Sequence, residues 1–332
     1  MTSKHIESDT TVLHLQAQGH QDDSVRIPFR PSPCKVADME IETFAPKFTE
    51  NPHAVEHEDE YPRTGSDPGL VVIFNQQTFG DDDEMARRGT NRDVNELILT
   101  FGRLGYNIEE RYIYNNLKRF EILEAIKELS STDHSDRNCL IIIVLTHGEV
   151  NNVLQVEDGL METSEFWTPF SNTSCLSFSS KPKFFVFQAC KGNQNSRSGE
   201  LTVPVIPAGT YRTPLETDFL IAFAAVEGTR SYRHTLLGSW FIQELCRNFN
   251  AHGRRDDVIS LLLRITKCVA YNHYHVAKDN GRKVIVKQMP LLLSTLTKKF
   301  YLCKSKDRNL LLQLKKKQEE MLELLAEALK ST

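Results

Sequence analysis

The sequence has no apolar run approaching the roughly 18 to 20 residues that a membrane-spanning helix needs. Its opening stretch, MTSKHIESDT, holds no apolar core of the kind a secretory signal carries, so secretion is not expected. Its seven cysteines are odd in number, scattered and nowhere spaced C-x-x-C. That argues against a disulfide framework and against a zinc site. Net charge is also scarce: 40 Lys and Arg stand against 44 Asp and Glu, a balance of −4. A generally basic nucleic-acid binder is thereby excluded. Neither a G-x-G-x-x-G nor a P-loop is present, and no internal repeat appears. The absences together point to a reducing compartment, with the cytoplasm as the expected location.

What is present is unevenly spread. Of the 332 residues, 1–68 carry 13 acidic and 6 basic side chains, 7 of the 13 prolines and 5 of the 11 histidines. Apolar residues there are isolated, with no period of 2 or 3.6. Such a segment cannot bury enough surface to offset its ordering entropy, and a disordered acidic leader is expected.

Order is expected from Gly69 onward. Gly69-Leu-Val-Val-Ile-Phe74, Leu140-Ile-Ile-Ile-Val-Leu145, Lys183-Phe-Phe-Val-Phe187 and Phe219–Val226 are short runs that read as buried strands. Residues 106–113 and 284–294 are expected to add strands. Helical spacing appears over 91–104, 120–129, 160–170, 238–251 and 256–274. Alternating strands and helices predict an α/β fold with a mainly parallel sheet between helical layers. Residues 191–217 break the pattern and read as a long loop.

In open parallel sheets, chemistry collects beyond the carboxyl ends of the strands. One apolar strand ends in Thr146-His147-Gly148-Glu149 and the next in Gln188-Ala189-Cys190-Lys191-Gly192. If these strands are neighbours, an imidazole stands beside a thiol, which is what a thiolate nucleophile needs. The backbone N–H groups of Gly148 and Cys190 would then face a developing oxyanion.

Here a resemblance becomes specific. Gln188-Ala-Cys-Lys-Gly192 resembles the caspase active-site pentapeptide, with His147 upstream as that signature requires. Met85–Asp93, Ser231-Tyr-Arg233, Gly238–Gln243 and Gln288-Met-Pro-Leu291 are similar to further caspase segments, and the likeness spans about residues 69–302. It implies a three-layer sandwich around a six-stranded sheet and a cysteine endopeptidase cutting proteins after aspartate in apoptosis. By position it makes Cys190 the nucleophile, His147 the acid/base and Gly148 an oxyanion donor. It assigns Arg87, Gln188 and Arg233 to the substrate carboxylate, where arginine forks suit a bidentate partner. Ser231, Tyr232, Trp240 and the loop at 277–282 would line the groove. No metal or other cofactor is implied. A homodimer through the final strand is implied, as are an upstream caspase and inhibitor proteins as partners, with no nucleic acid and no membrane.

The same likeness divides the chain into a leader (1–68), a large subunit (69–200), a small subunit (201–303) and a tail (304–332). Three features depart from the family pattern. Lys191 replaces the usual arginine. The loop 191–217 contains no aspartate, so activation is expected at an atypical bond, with Glu200 a candidate, or in the uncut dimer. The tail places Leu311, Leu314, Met321, Leu325 and Ala328 at near-heptad spacing, an amphipathic helix that docks on its own domain or serves a partner. Asp9 and Asp23, each followed by a small residue, are the expected sites of leader removal, and the short leader fits an executioner. A catalytically silent caspase-like regulator is the alternative; the intact Cys190–His147 pair argues against it.

Overall fold

The computed structural model describes residues 6–8, 59–80, 83–192, 196–197, 216–279 and 281–304, with helical positions 310, 314, 317, 318 and 321. Six strands form the central sheet. They are β2 (Leu70–Asn75), β3 (Ile113–Asn115), β4 (Leu140–Leu145), β7 (Lys183–Gln188), β9 (Phe219–Phe223) and β14 (Leu291–Ser294). Their spatial order is β14-β9-β7-β4-β2-β3, all parallel except β14.

Every residue of β2, β4, β7 and β9 is buried, which explains the unbroken apolar runs. Alternate residues serve opposite cores. Val71, Ile73, Ile141, Ile143, Phe184 and Val186 face one core with helices α1 (Thr90–Arg103), α4 (Trp240–His252) and α5 (Val258–Asn272). Leu70, Val72, Phe74, Ile142, Phe185 and Phe187 face the other, with α2 (Arg119–Ser131) and the short α3 (Ser164–Trp167). The result is the expected three-layer sandwich. Among the described residues no helix is long and apolar enough to cross a membrane.

Three local expectations need correction. Residues 106–113 are mostly irregular with a single 3-10 turn, and the strand is the short β3. Residues 160–170 do not form one helix. A hairpin of β5 (Val153–Val156) and β6 (Gly159–Glu162) takes the first part, entered through Asn151 and Asn152 at φ 62 and 61. The four-residue α3 then gives way to a 3-10 turn at Pro169, whose missing N–H cannot continue an α-helix. The strand expected at 284–294 is two elements. β12 (His275–Asp279) and β13 (Arg282–Lys287) form a separate hairpin, to which β8 (Ser196–Arg197) adds; β14 alone joins the central sheet.

Part of the expected leader is ordered against the domain. The Tyr61 hydroxyl donates to Asp218 Oδ1 at 2.7 Å, and Arg63 Nη1 donates to Tyr301 O at 2.8 Å. A three-residue strand, β1 (Ile6–Ser8), pairs with β10 (Tyr232–His234), whose other neighbour is β11 (Gly238–Ser239). In the tail, Leu310, Leu314 and Met321 are exposed.

Lys183, at the start of β7, is fully buried. Its ammonium donates to Asn172 Oδ1, Phe178 O and Lys181 O at 2.9 to 3.1 Å. Burial nonetheless pulls its pKa down from 10.5 to about 8, against the attraction of Asp218 and Glu216. Between those two values the unfolded chain binds more protons than the folded one, so this residue makes stability rise with pH across that interval. Relative to Lys183→Met, the wild type should gain on the order of 2 kcal/mol between about pH 7.5 and 10, read from urea midpoints. A constant difference between the two proteins would refute the assignment.

Candidate active site

β4 and β7 are hydrogen-bonded neighbours, with Leu145 beside Gln188. His147 and Cys190 each lie two residues beyond that pair, so the register carries both past the same edge of the sheet. Contact persists there: Thr146 N–H donates to Gln188 O at 3.1 Å. A Cβ on Gly148 would fall 2.3 Å from Cys190 O and 2.9 Å from the Ala189 methyl. Only glycine allows this approach, and it sets the two backbones against each other.

The His147 ring is 5% exposed, and its centroid lies 4.7 Å from that of Phe79. Its Nε2 is 2.7 Å from Met85 O. A carbonyl only accepts, so Nε2 carries the proton and Nδ1 is the basic nitrogen. The Cys190 thiol is also buried, and its Sγ accepts a hydrogen bond from Ser231 N–H at 3.2 Å. An N–H donor aimed at sulfur supports negative charge there. Two other buried thiols lie in different surroundings: burial raises Cys139 to about 11 and Cys246 to about 12, which makes them inert.

Arg87 and Arg233 are almost wholly buried. Arg87 lies just before α1 and is tied back to the end of β2, its Nη1 donating to Gln76 O at 3.2 Å and Thr90 Oγ1 at 2.9 Å. Thr90 in turn donates to Asn75 Oδ1 at 2.6 Å. Arg233 projects from β10, its Nε donating to Arg88 O at 2.8 Å, which ties it to the residue beside Arg87. Asp93 lies within the electrostatic reach of both guanidinium groups. Its carboxylate accepts from Ser239 N–H at 2.8 Å and Ser239 Oγ at 2.6 Å. Burial raises Asp93 to about 6, while Ser239 and then the two arginines draw it back down. It is therefore ionised at neutral pH and offsets part of the cost of two buried cations. In the sequence Asp93 only closes the segment Met85–Asp93, and nothing there marks it for this task.

The remaining groove residues are linked in one chain. Gln188 Nε2 donates to Ser231 Oγ at 3.2 Å, so Ser231 touches both Gln188 and Cys190. Tyr232 N–H donates to Gln288 Oε1 at 2.8 Å, and Gln288 Nε2 donates to Ala224 O at 2.8 Å. Gln288, also missed as a positioning residue, thus bolts β10 to the segment leaving β9. The Tyr232 ring stacks on Trp240 at 4.8 Å, and Trp240 lies 5.2 Å from His273. Of the expected groove loop, residues 277–279 and 282 are strand positions in the β12–β13 hairpin. Among the described residues no cluster of ligands suited to a metal ion is found. Asp9, Asp23 and Glu200 lie outside the described residues.

Residues 68–301 match the caspase domain family. The chain belongs to the caspase family. Caspase-1 of Spodoptera frugiperda is 32% identical over 299 residues, 89% of this chain and 94% of the relative. Caspase-7 of Gallus gallus is 33% identical over 241 residues, 70% of this chain and 76% of the relative. The crystal structure of caspase-1 from Spodoptera frugiperda has a TM-score of 0.65 at 34% identity, covering 74% of this chain and 94% of that one. The caspase family is a family of cysteine proteases, and its α/β sandwich is the fold found here.

Within this caspase, the Lys191 side chain is engaged by residues of other segments. Its ammonium lies 3.3 Å from Glu227 Oε2 and 3.7 Å from the centre of the Phe223 ring, and it bonds Asn152 Oδ1. The partners form a compact, one-sided set that a point charge satisfies without a planar fork. Burial lowers it to about 8, opposed by Glu227. The lysine is thus held as part of the wall beside Cys190.

Proposed function

We propose that this protein is an active cysteine endopeptidase that cleaves other proteins after aspartate, is made as a zymogen, and promotes or executes programmed cell death in the cytoplasm. The observation that carries the reading is the convergence at one sheet edge of His147, Cys190 and two buried guanidinium groups. Cys190 Sγ attacks the scissile carbonyl carbon, and the N–H groups of Gly148 and Cys190 take the oxyanion. His147 protonates the leaving amine, then removes a proton from the water that opens the thioester. Arg87, Arg233 and Gln188 hold the substrate carboxylate, and Ser231, Tyr232 and Trp240 shape the groove.

A panel of fluorogenic peptides ending in Asp, Glu, Asn or Arg tests this. Asp should exceed Asn and Arg by roughly a thousandfold or more in kcat/KM, because a neutral residue brings no counter-charge to two buried guanidinium groups and an arginine repels them. Glu, one methylene longer, should lose about ten- to a hundredfold. Equal turnover of Asp and Asn peptides would defeat the reading.

The homodimer belongs to the same proposal. β14 is an edge strand, paired only to β9 among the described residues, and a second copy of it would extend the sheet. Activation by a cut after Glu200 is proposed because 191–217 hold no aspartate. Upstream proteases and inhibitor proteins complete the set of proposed partners, with no cofactor.

A further inference from the structure

We propose that the outward face of the β12–β13 hairpin is a second docking surface for protein substrates, which takes an extended segment carrying apolar and acidic residues at alternate positions. The proposal rests on the protease reading above and adds to it a binding site away from the scissile bond.

The hairpin has two unlike faces, because side chains alternate along a strand. One face carries Ala277, Val284 and Val286, which pack with Tyr232 and Trp240 and so back the groove wall. The other carries Tyr274, Val276 and Lys278 on one side and Lys283 and Ile285 on the other, all exposed. The register sets Val276 directly opposite Ile285 and Lys278 directly opposite Lys283. Lys287 closes the base of the hairpin. Its ammonium donates to Ala270 O at 3.1 Å and lies 5.7 Å from the ring centre of Tyr271, an exposed residue at the end of α5.

Two features of this face are unfavourable while it stays bare. An aliphatic cross-strand pair is left half exposed. Like charges directly opposite each other weaken an antiparallel pair, and among the described residues neither Lys278 nor Lys283 has an ion pair. Lysine on an edge strand guards against stray pairing, and β12 is an edge, bonded only to β13 among the described residues. That accounts for Lys278. It does not account for Lys283, which lies on the inner strand between β12 and β8, nor for the bare Val276–Ile285 pair.

Charge and periodicity together identify the occupant. Residues 275–287 hold Lys278, Arg282, Lys283 and Lys287 against Asp279, so the ligand is acidic. The open edge of β12 offers N–H and C=O groups to an extended chain. Outward side chains of that chain then fall beside Tyr274, Val276 and Lys278, two residues apart, as apolar, apolar and acidic. A nucleic-acid backbone would leave the aliphatic pair without a partner. A second copy of the hairpin would set lysines against lysines. The substrate protein is the natural source, because the opposite face of the same hairpin backs the groove. A segment held here keeps its aspartate near Cys190 at a raised local concentration. Such binding acts equally on ground and transition states, so it lowers KM and leaves kcat unchanged.

The test uses polypeptide substrates with one Asp cleavage site, joined by a Gly/Ser linker of about 20 residues to a docking segment of about ten. The segment repeats leucine-serine-valine-serine-glutamate, or carries lysine in place of each glutamate. With the wild type, the acidic segment should raise kcat/KM about tenfold or more over the basic one, through KM alone. Ile285→Thr should remove the gain, and Lys283→Glu should transfer it to the lysine-bearing substrate. A short Asp peptide without a segment should be cut alike by all three proteins. Equal kcat/KM for the two long substrates, or a gain that survives both substitutions, overturns the proposal. Binding is read apart from catalysis by fluorescence anisotropy of the free acidic segment on Cys190→Ala, with and without Lys283→Glu. Short-peptide turnover with no binding difference sinks the docking surface alone; binding that Lys283→Glu abolishes, without turnover in the wild type, sinks only the protease reading. Displacement of the labelled segment by oligouridine more readily than by the unlabelled segment would assign the face to nucleic acid and overturn the proposal. A change of oligomeric mass in Lys283→Glu would assign it to a second copy and likewise overturn it.

Discussion

Cys190→Ala is expected to leave a folded domain whose hydrolysis of Asp peptides falls by roughly ten-thousandfold or more. This thiol is the proposed nucleophile at the end of β7, and among its described neighbours no other side chain is placed to substitute. Ser231 is the nearest hydroxyl, with its Oγ 3.6 Å from Cys190 Sγ, but that oxygen already accepts from Gln188. A hydroxyl at an ordinary pKa is also a poor nucleophile without a base in contact. The structural cost should be small. Removing Sγ opens a space of one atom and leaves Ser231 N–H without the sulfur, about 1 to 2 kcal/mol together. Thermal unfolding therefore moves by a few degrees while turnover vanishes. Residual hydrolysis within tenfold of wild type would place the nucleophile elsewhere.

Much of this site could be read before any coordinates, because its two chemical residues sit where physics concentrates function. The runs 140–145 and 184–187 are apolar at every position, which marks strands covered on both faces. His147 and Cys190 follow them directly. Their adjacency needed only that β4 and β7 pair, and they do, Leu145 against Gln188. The assignment of Arg87 and Arg233 to a substrate pocket rests on resemblance; that both are buried could not be read from the sequence, where a buried and a solvated Arg look alike. What was illegible is the support behind them. Asp93 lies on the first turn of α1 at a position any helix fills with an acid for its dipole, so its role as counter-ion to Arg87 and Arg233 leaves no pattern. Gln288 acts through two bonds to segments 56 and 64 residues away, which no local window contains. β1 is three residues long, too short for any period, and owes its place to an edge supplied by residues 232–234. The hairpin at 153–162 was missed for the opposite reason: its apolar residues mimic helical spacing, and the turn asparagines were the better signal.

The counter-ion bears on the second large effect. Arg233→Ala should reduce kcat/KM for Asp peptides by roughly a thousandfold or more while sparing the fold. The guanidinium is 1% exposed and its Nε is fixed to Arg88 O, and its planar fork has a geometry that lysine cannot reproduce. Arg233→Lys should accordingly recover only a minor part of the loss. Asn peptides should suffer far less, so selectivity for Asp collapses along with rate. The substitution also withdraws one of the two cations that keep Asp93 ionised. Its carboxyl, already raised to about 6 by burial, must then rise further. The variant's residual activity should thus show an added dependence on pH just above 6, absent from wild type, as the carboxyl titrates beside Arg87. Asp93→Asn combined with Arg233→Ala should abolish that dependence without restoring rate. If Arg233→Ala retained wild-type turnover of Asp peptides, the pocket would have to be rebuilt around Arg87 alone. One buried cation with a buried anion beside it is a neutral pair, and a neutral pair offers little to a substrate carboxylate. Two arginines against one aspartate leave a surplus of positive charge, and that surplus is what the proposed aspartate substrate would satisfy.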